Sequence, residues 1–222
     1  KNNRVLIYRD PWNQNPKGQA AVQVIGQADF SANECNRGRS DNSPSADSLC
    51  IDDYAAVDID KAGNLWVADS ENFRVLRFPN RGGVIASSAD LVLGQDDFTS
   101  RVYDDFVVDL TLKLKHIPGP VDLEFDPATD ALYVSDTRPG IVTHRLLEFK
   151  PPFTNGMFAS RQMPSACFSC GRSDITTTGP QSLAIDPKTQ HLWVQNSCFY
   201  NDLFDMSTMI PTKLLSSQTS NA

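Results

Sequence analysis

Apolar and polar residues alternate in short runs along this chain, and turns rich in aspartate, glycine and proline separate the runs. Four such runs fill residues 55–95, and similar blocks follow at residues 120–162 and 181–218. Alternation with a period of two is the pattern of a β-strand, because successive side chains point to opposite faces of a sheet. Each block therefore predicts four short strands joined by tight turns.

The blocks repeat with a nearly constant length. Their equivalent turn aspartates are Asp60, Asp126 and Asp186, which lie 66 and 60 residues apart. A repeat of this length that contains four strands is typical of the blades of a β-propeller. We therefore expect an all-β fold, a β-propeller of four-stranded blades, with about three and a half blades in this chain. The chain would then be part of a larger propeller, six-bladed or arranged in tandem.

The first 27 residues correspond to the outer half of a blade. Arg4 takes the place of Arg74, and Gln27 takes the place of Gln95, which mark the third and fourth strands. The predicted segments are the outer half of an incomplete blade (1–27), a cysteine-stapled loop insertion (28–54), a blade (55–95), a loop insertion (96–119), a blade (120–162), a cysteine-containing loop (163–180), a degenerate blade (181–218) and a tail (219–222).

An outer pair of strands is at best marginally stable in water without the inner pair that completes its sheet. We expect the two inner strands to come either from upstream residues of the same polypeptide or from a neighbouring chain that adds strands at an open edge. In the second case, units joined head to tail would form a rod or a fibre, because such a contact does not close on itself.

Two charged residues recur in the blocks, an aspartate that ends the second strand and an arginine that begins the third. They are Asp69 with Arg74, and Asp136 with Arg145. In the third block we align Asn196 and Leu203 with them, so both charges are lost together. Joint loss is expected of an ion pair, because one buried charge left alone costs several kcal/mol. We interpret the pairs as structural; two unrelated exposed charges are the alternative.

Three aromatic residues occupy one equivalent position in the second strands, and a leucine precedes each of them. The aromatic residues are Trp66, Tyr133 and Trp193, and the leucines are Leu65, Leu132 and Leu192. Neighbouring residues of a strand face opposite ways. We therefore expect the aromatic residues to be buried against one neighbouring sheet and the leucines against the other.

Composition excludes some partners and favours an exported protein. The net charge of −7 and the lack of a basic stripe argue against nucleic acid. No apolar run approaches the roughly 20 residues of a membrane-spanning helix, so membrane insertion is not expected. The chain begins with Lys1 and not with methionine, which is compatible with a removed leader or with further sequence upstream. We expect a secreted or cell-surface location.

The five cysteines form two groups. Cys35 and Cys50 flank a polar loop, and a disulfide that closes a loop of this size stabilises a protein by about 3 kcal/mol. Cys198 is the expected partner of either Cys167 or Cys170, which leaves one thiol free or bonded to another chain. A zinc site at Cys167-x-x-Cys170 is the alternative, although it lacks a second pair or a nearby histidine.

The first of these blocks, residues 55–95, resembles the NHL repeat of β-propellers. The resemblance rests on Asp60-x-x-Gly63-Asn64-Leu65-Trp66-Val67-Ala68-Asp69, followed by Asn72-x-Arg74-Val75. Residues 26–30 and 94–99 are similar to the blade junctions of bacterial extracellular members. The resemblance implies a propeller that serves mostly in binding or scaffolding, with a few enzymes among its relatives.

The resemblance also implies one candidate ligand. NHL-related lyases place metal-binding histidines around the central channel, and His116, just ahead of an inner strand, would face that channel. His144 and His191 align with positions on the blade surface. Asp58-x-Asp60-x-x-Gly63 resembles a calcium loop but lacks the distal glutamate. We expect no catalytic residue, metal or cofactor, with calcium or zinc as the weaker alternatives.

Two classes of function fit the sequence. The favoured class is a non-catalytic extracellular propeller that acts as a binding module or as a structural unit of a surface or fibrous assembly. Its expected partners are other protein chains or copies of itself. The alternative is a propeller enzyme of the lyase or lactonase kind, with a metal in the central channel.

Overall fold

The computed structural model describes residues 1–10, 18–39, 43–52, 55–103, 114–137, 144–163, 179–196, 201–205 and 210–215, with the backbone alone from residue 196 onward. Nearly all regular structure in these stretches is β-strand. The helical segments among them are two short 3-10 turns, Cys35–Gly38 and Ser70–Asn72. The chain is therefore all-β, as the alternation pattern predicts.

The first sheet has two antiparallel strands. β1 (Val5–Ile7) pairs with β2 (Gln23–Ile25), with Val5 opposite Ile25. Within the described residues, no strand pairs with the other edge of β1. Val5, Ile7 and the fully buried Ile25 pack towards the second sheet. In the part of the chain that the structure describes, the first sheet is thus covered on one face and has no partner strand along one edge.

The next part of the chain forms the second sheet. Its strands are β3 (Val57–Ile59), β4 (Leu65–Asp69), β5 (Arg74–Phe78), β6 (Asn80–Arg81), β7 (Val84–Ile85) and β8 (Leu91–Leu93). The sheet has the antiparallel order β3-β4-β5-β8, while β6 and β7 form a small separate hairpin. Gly82 and Gly83 form the turn of that hairpin with φ angles of 63° and 88°, which glycine adopts without strain. The alternation pattern did not predict this hairpin.

Two further sheets complete the described structure. The third contains β9 (Pro120–Phe125), β10 (Leu132–Asp136), β11 (Arg145–Phe149) and β12 (Arg161–Met163). The fourth contains β13 (Pro180–Asp186), β14 (His191–Asn196), β15 (Asn201–Asp205) and β16 (Ile210–Leu215). Both are antiparallel, and their strands are ordered as they follow in the chain. Four-stranded meanders of this kind are propeller blades, so the predicted fold class is confirmed.

Alternate residues of β4 hold the second sheet between its two neighbours. Leu65 and Val67 pack with Ile25 of the first sheet. Trp66 and Ala68 pack with the third sheet, where the Trp66 ring meets the Phe125 ring at 5.3 Å between centroids. Both faces are buried, so β4 carries apolar residues at consecutive positions. This is the predicted register for Trp66 and Leu65.

The same arrangement recurs in the third sheet and stops in the fourth. Leu132 packs towards the second sheet, and Tyr133 packs towards Leu192 of the fourth. Trp193 was expected to be buried in the same way, but 37% of it is exposed. It belongs to none of the hydrophobic clusters that the described residues form, because those clusters cover only the opposite face of β14.

Carboxylates on the first strands connect successive sheets. Asp58 of β3 accepts a hydrogen bond from the backbone N–H of Phe125 in β9 at 2.8 Å. Glu124 of β9 accepts one from the backbone N–H of Ile185 in β13 at 3.0 Å. The two acceptors occupy equivalent positions, two residues before the turn aspartate. The second and third sheets therefore each offer an acceptor to the sheet that follows.

Candidate functional site

A buried ion pair joins the inner and outer halves of the second sheet. Arg74 begins β5 opposite Asp69, and its Nε donates to Asp69 Oδ2 at 2.7 Å with both side chains fully buried. The other Asp69 oxygen accepts from the Cys50 backbone N–H at 2.7 Å. Arg74 also donates to the carbonyl of Phe98 at 2.6 Å and to carbonyls within residues 45–48. Both charges are satisfied, and the arginine anchors loops on two sides.

The third sheet repeats these contacts. Arg145 Nε donates to Asp136 Oδ2 at 2.8 Å, and the other Asp136 oxygen accepts from the Gly119 backbone N–H at 2.8 Å. Arg145 Nη2 donates to the carbonyl of His116 at 2.7 Å. In both sheets the aspartate and the arginine therefore bind the segment that leads into the first strand.

The alignment of Leu203 with the strand-three arginines is wrong. In the fourth sheet Leu203 lies opposite Trp193, and Asn201 lies opposite Gln195. Leu203 therefore does not face Asn196 in the way that the arginines face the strand-two aspartates of the second and third sheets. This block has no arginine to mark where the third strand begins, and the sequence alignment was misplaced for that reason.

The first sheet reproduces the outer contacts of the second. Arg4 Nη1 donates to the carbonyls of Phe30 at 2.6 Å and Ala32 at 3.1 Å, much as Arg74 contacts Phe98. The residue before each arginine has a left-handed backbone, with φ of 46° at Asn3 and 57° at the equivalent phenylalanine, residue 73. The backbone before β1 and the outer hydrogen bonds of Arg4 therefore match those of a complete blade.

A glutamine in each sheet holds that strand entry. Gln27 Nε2 donates to the carbonyl of Asn3 at 2.8 Å. Gln95 Nε2 donates to the carbonyl of Phe73 at 3.0 Å. The two sheets thus share the hydrogen bond that fixes the fourth strand to the beginning of the third.

Arg4 lacks the inner contacts that Arg74 makes. Among the described residues, no carboxylate forms an ion pair with Arg4, and its hydrogen bonds are those from Nη1 alone. In Arg74 the corresponding Nε and Nη2 atoms bind Asp69 and the loop before β3. In the second sheet these donors are thus satisfied by the second strand and by the loop that leads into the first strand.

A cavity of about 340 Å³ lies between β1 and β3, where inner strands of the first sheet would stand. We call it the notch and define it by its lining, which is residues 1–6, 51–52, 55–57 and Val67. Val57 and Ile59 lie on the β3 face that is turned towards the first sheet, and they are 51% and 50% exposed. An open strand edge beside exposed apolar side chains is suited to strand addition.

The predicted disulfide between Cys35 and Cys50 is confirmed, with a Cα–Cα distance of 4.5 Å. It joins the segment after β2 to the segment before β3, and so it fixes the first sheet to the second. Cys167, Cys170 and Cys198 lie outside the described residues. The disulfide and the zinc alternative expected there therefore stay predictions.

The described histidines have different environments. The His116 ring is partly buried, its carbonyl binds Arg145, and its role as a channel-facing ligand stays a prediction. His144, expected on the blade surface, is buried, and its Nδ1 lies 2.7 Å from Thr137 Oγ1, so that expectation was wrong. His191 borders the cleft between the third and fourth sheets. The described residues contain no group of three histidine, cysteine, aspartate or glutamate side chains placed to hold a metal ion.

Asp60, part of the sequence that resembles a calcium loop, has a complete set of partners in its own turn. One carboxylate oxygen accepts from the backbone N–H groups of Ala62 and Asn64 at 3.0 and 2.9 Å. The other accepts from the Asn64 side chain at 2.8 Å and from Trp66 Nε1 at 2.9 Å. These four bonds give Asp60 a structural role, since they fix the turn and the buried Trp66 together.

A larger cleft of about 690 Å³ opens between the third and fourth sheets, beside the buried carboxylate of Glu148. Arg161 donates to both Glu148 oxygens at 2.7 and 2.6 Å, and the Tyr133 hydroxyl donates at 3.2 Å. Burial acts to raise the pKa of Glu148, but the hydrogen bonds from Arg161 and Ser160 hold it below its ordinary value. Burial and the neighbouring Glu148 raise the pKa of Tyr133. Neither group is poised to transfer a proton near neutral pH.

Sequence reasoning missed a pair of buried amides. The Asn36 and Asn72 side chains donate to each other at 3.0 and 2.8 Å, and Asn72 also donates to Asp69 at 2.8 Å. One feature of the sequence could have predicted this contact. Asn72 and Asn2 both lie two residues before the arginine that begins the third strand. Recurrence with that arginine indicates that the asparagine belongs to the same polar network.

The four-stranded sheets and the contacts between them define the chain as a series of β-propeller blades. A comparison with protein families adds a family match for one of these blades. The NHL repeat family matches residues 55–78, which span β3, β4 and β5. The match confirms the predicted resemblance for the second sheet. No curated protein sequence matches the chain. The described part of the chain contains no helix with the length and hydrophobicity of a membrane span.

Several solved structures are similar in fold at low sequence identity. Two are proposed 6-phosphogluconolactonases, from Bacteroides fragilis (15% identity, TM-score 0.44, 72% of this chain and 41% of that one) and from Bacteroides uniformis (14%, 0.46, 72% and 40%). A third is hydrazine synthase from Kuenenia stuttgartiensis (13%, 0.38, 72% and 47%). The matches span less than half of the length of these proteins.

Proposed function

We propose that this chain is a non-catalytic, extracellular propeller unit that binds other protein chains or copies of itself within a surface or fibrous assembly. The notch carries the proposal. Among the described residues, one edge of β1 has no partner strand and lies beside exposed Val57 and Ile59, which is the kind of surface that recruits another polypeptide. A single exposed apolar residue would not support this inference, but an open edge and an apolar face together do.

The extracellular part of the proposal is supported by the disulfide. Cys35 and Cys50 close a polar loop in a position where the bond joins two sheets. Disulfides of this structural kind form and persist in oxidising compartments and are rare in the cytosol. A unit that is secreted or displayed on the cell surface would keep this bond.

The hydrogen bonding of the larger cleft supports binding over catalysis. Glu148 is held by Arg161, Ser160 and Tyr133, so its charge is fixed in position. A general acid or base needs a pKa near the working pH and a proton that is free to move. A cleft with fixed charges is better suited to hold a ligand than to transfer protons.

The test is self-association of the purified, oxidised chain together with activity measurements. Sedimentation velocity over a wide concentration range, with electron microscopy of the product, is expected to show association that grows with concentration. Val57→Asp, which places a charge in the notch, is expected to abolish it. Val84→Asp is the matched control, since Val84 is similarly exposed at 56% but lies on the β6–β7 hairpin.

Two results would overturn the proposal. One is a chain that stays monomeric at every concentration and hydrolyses lactones when divalent metal ions are added, which would favour the enzyme alternative. The other is association that Val57→Asp and Val84→Asp weaken equally, which would show that the notch is not the contact.

A further inference from the structure

We propose that the cleft between the third and fourth sheets binds a small ring compound that carries one carboxylate group. The cleft has a volume of about 690 Å³, which lies within the usual range of small-molecule sites. Its walls come from the turns that lead into β10 and β14 and from the outer strands β11 and β12. The inference goes beyond the proposed function and does not depend on the notch.

The first step is a comparison with the preceding interface, where the equivalent space is filled. The Phe153 ring, from the loop between β11 and β12, meets the Trp66 ring of the second sheet at 4.9 Å between centroids. It lies 6.2 Å from the Phe125 ring. The corresponding loop of the fourth sheet, residues 206–209 between β15 and β16, contains no aromatic residue. A ring from a ligand can therefore take the place that Phe153 takes one interface earlier.

The second step concerns the row of side chains on the third sheet that borders the cleft. Tyr133, Glu148 and Arg161 lie opposite one another on three neighbouring strands, so they share one face of the sheet. The equivalent row of the second sheet is Trp66, Arg77 and Leu91. Arg161 thus stands where the second sheet has a buried leucine. The face that borders the cleft is the more polar of the two, which suits a ligand with a charged group.

The third step is the charge at the cleft. The single carboxylate of Glu148 faces two cations, Arg161 at 2.6 Å and Lys150 at 3.6 Å. The Glu148 side chain is 2% exposed, whereas that of Lys150 is 56% exposed and that of Arg161 is 33% exposed. Asp126, the other acidic residue of the lining, is buried and accepts hydrogen bonds within its own turn. The accessible charge is therefore positive. The excess around Glu148 is about one unit, which matches a carboxylate better than a doubly charged phosphate.

The fourth step is the fixed geometry of the site. Glu148 also accepts from Ser160 Oγ at 2.8 Å and from the Tyr133 hydroxyl at 3.2 Å, so its position does not depend on a ligand. On the opposite wall, Gln190 and His191 border the cleft and are partly exposed. A few polar groups placed on both sides of a ring fix the orientation of a ligand. The cleft has this arrangement.

Two matched pairs of probes test the inference with the purified, oxidised 222-residue chain. Phenylacetate and phenylacetamide share an aromatic ring and differ in charge, and glucuronate and glucuronamide do the same for a sugar ring. Isothermal titration calorimetry gives the affinity of each probe. We expect saturable binding of one acid, about fivefold tighter than that of its amide. The pair that shows this preference identifies the ring as aromatic or as a sugar.

A substitution tests the source of the preference for an acid. Lys150→Gln removes an accessible charge and leaves the contacts between Glu148 and Arg161 in place. It should weaken binding of the preferred acid about fivefold and leave binding of the amide unchanged, because only the acid interacts with the ammonium charge. Lys188→Gln is the matched control, since Lys188 is exposed in the turn before β14 but lies outside the lining.

Chemical labelling locates the site without any substitution. Acetic anhydride modifies accessible lysine side chains, and mass spectrometry of the resulting peptides reports the extent of modification at each lysine. The bound acid should protect Lys150 and leave the modification of Lys188 unchanged. Because no residue is replaced, this measurement holds even if Lys150→Gln perturbs folding.

The inference is overturned if neither acid binds at millimolar concentrations, or if each acid binds as its amide does. Equal losses for the two lysine variants, or equal protection of the two lysines, would also overturn it. Self-association through the notch is a separate measurement, so the two proposals fail separately. If the chain associates but binds neither acid, this inference falls and the proposed function stands; binding of an acid by a chain that does not associate gives the reverse.

Discussion

The first and second sheets have the same outer half and differ in their inner half. In both, a glutamine just after the last strand donates to the residue before an arginine, and the arginine binds a carbonyl of the following loop. Only the second sheet has inner strands among the described residues, and only there does the arginine meet a carboxylate. The outer strands therefore form these hydrogen bonds by themselves, while the inner strands supply the carboxylate that compensates the charge of the arginine.

The difference is also one of burial. Arg74 is fully buried and Arg4 is partly exposed, although both begin equivalent strands. A guanidinium in water loses little by having no ion pair, whereas a buried one without its partner is costly. The comparison implies that equivalent residues contribute very unequally to stability in the two sheets.

The variants with the largest expected effect test whether the two arginines contribute unequally to stability. Arg74→Met leaves the Asp69 carboxylate buried without its partner and should lower the free energy of unfolding by about 3–5 kcal/mol. Arg4→Met, the counterpart in the first sheet, should lower it by less than about 1 kcal/mol. Urea unfolding of both variants provides the measurement. Equal losses would mean that the first sheet already contains the inner contacts of a complete blade.

A second pair of variants extends the comparison to the other end of the stack. Trp66→Ala removes a ring buried between two sheets and should cost about 3–5 kcal/mol. Trp193→Ala, at the equivalent but more exposed position, should cost about 1 kcal/mol or less. Thermal and urea unfolding would report both values. A large loss for Trp193→Ala would show that another part of the chain covers that face.

The disulfide should affect the junction between the two sheets. Replacing Cys35 and Cys50 together by alanine should lower stability by about 3 kcal/mol, the value for a loop of this length. Hydrogen exchange should show faster opening of residues 23–25 than of residues 74–78, because the first sheet has fewer other contacts. Uniform acceleration across both sheets would contradict this assignment.

The smallest expected effect is a dependence of stability on pH, at the contact between the third and fourth sheets. Burial, with the nearby charges of Asp58 and Asp122, raises the pKa of Glu124 to about 7 from 4.5. The folded protein therefore holds this proton more tightly than the unfolded chain does. The stabilisation is complete below pH 4.5 and is lost as the pH rises through about 7.

Glu124→Gln should remove the loss of stability with rising pH and make the variant more stable than the parent above neutral pH. Because Glu124 is partly exposed, solvent screening reduces the effect to the order of 1 kcal/mol. Denaturation of both proteins between pH 5 and 8 would measure the difference. A difference that does not change with pH would show that Glu124 does not titrate in this range.

The sequence predicted those features that repeat with a fixed spacing. The places of Trp66 and Leu65 follow from alternation. The buried, opposed positions of Asp69 and Arg74 were expected from their joint recurrence. The slip at Leu203 has the opposite cause, because a block without the arginine offers no marker for its third strand.

Other features depend on contacts that a sequence does not show. Any residue has a carbonyl, so nothing marks His116 as the acceptor for Arg145. His144 is buried because Thr137 and Gly179, the residue before β13, lie beside it, which a surface alignment cannot reveal. The β6–β7 hairpin did have a signal, since two adjacent glycines between short runs favour a tight turn.

The acceptors on the first strands give the stack a polarity. Asp58 and Glu124 point forward to the next sheet, and the N–H groups that they bind point back. The face that precedes the second sheet therefore presents a donor, at Ile59. The corresponding position of the fourth sheet is Ala184, which has no carboxylate to offer. The described sheets are thus linked in one direction, and the carboxylate acceptor of the second and third sheets is not repeated at Ala184 of the fourth.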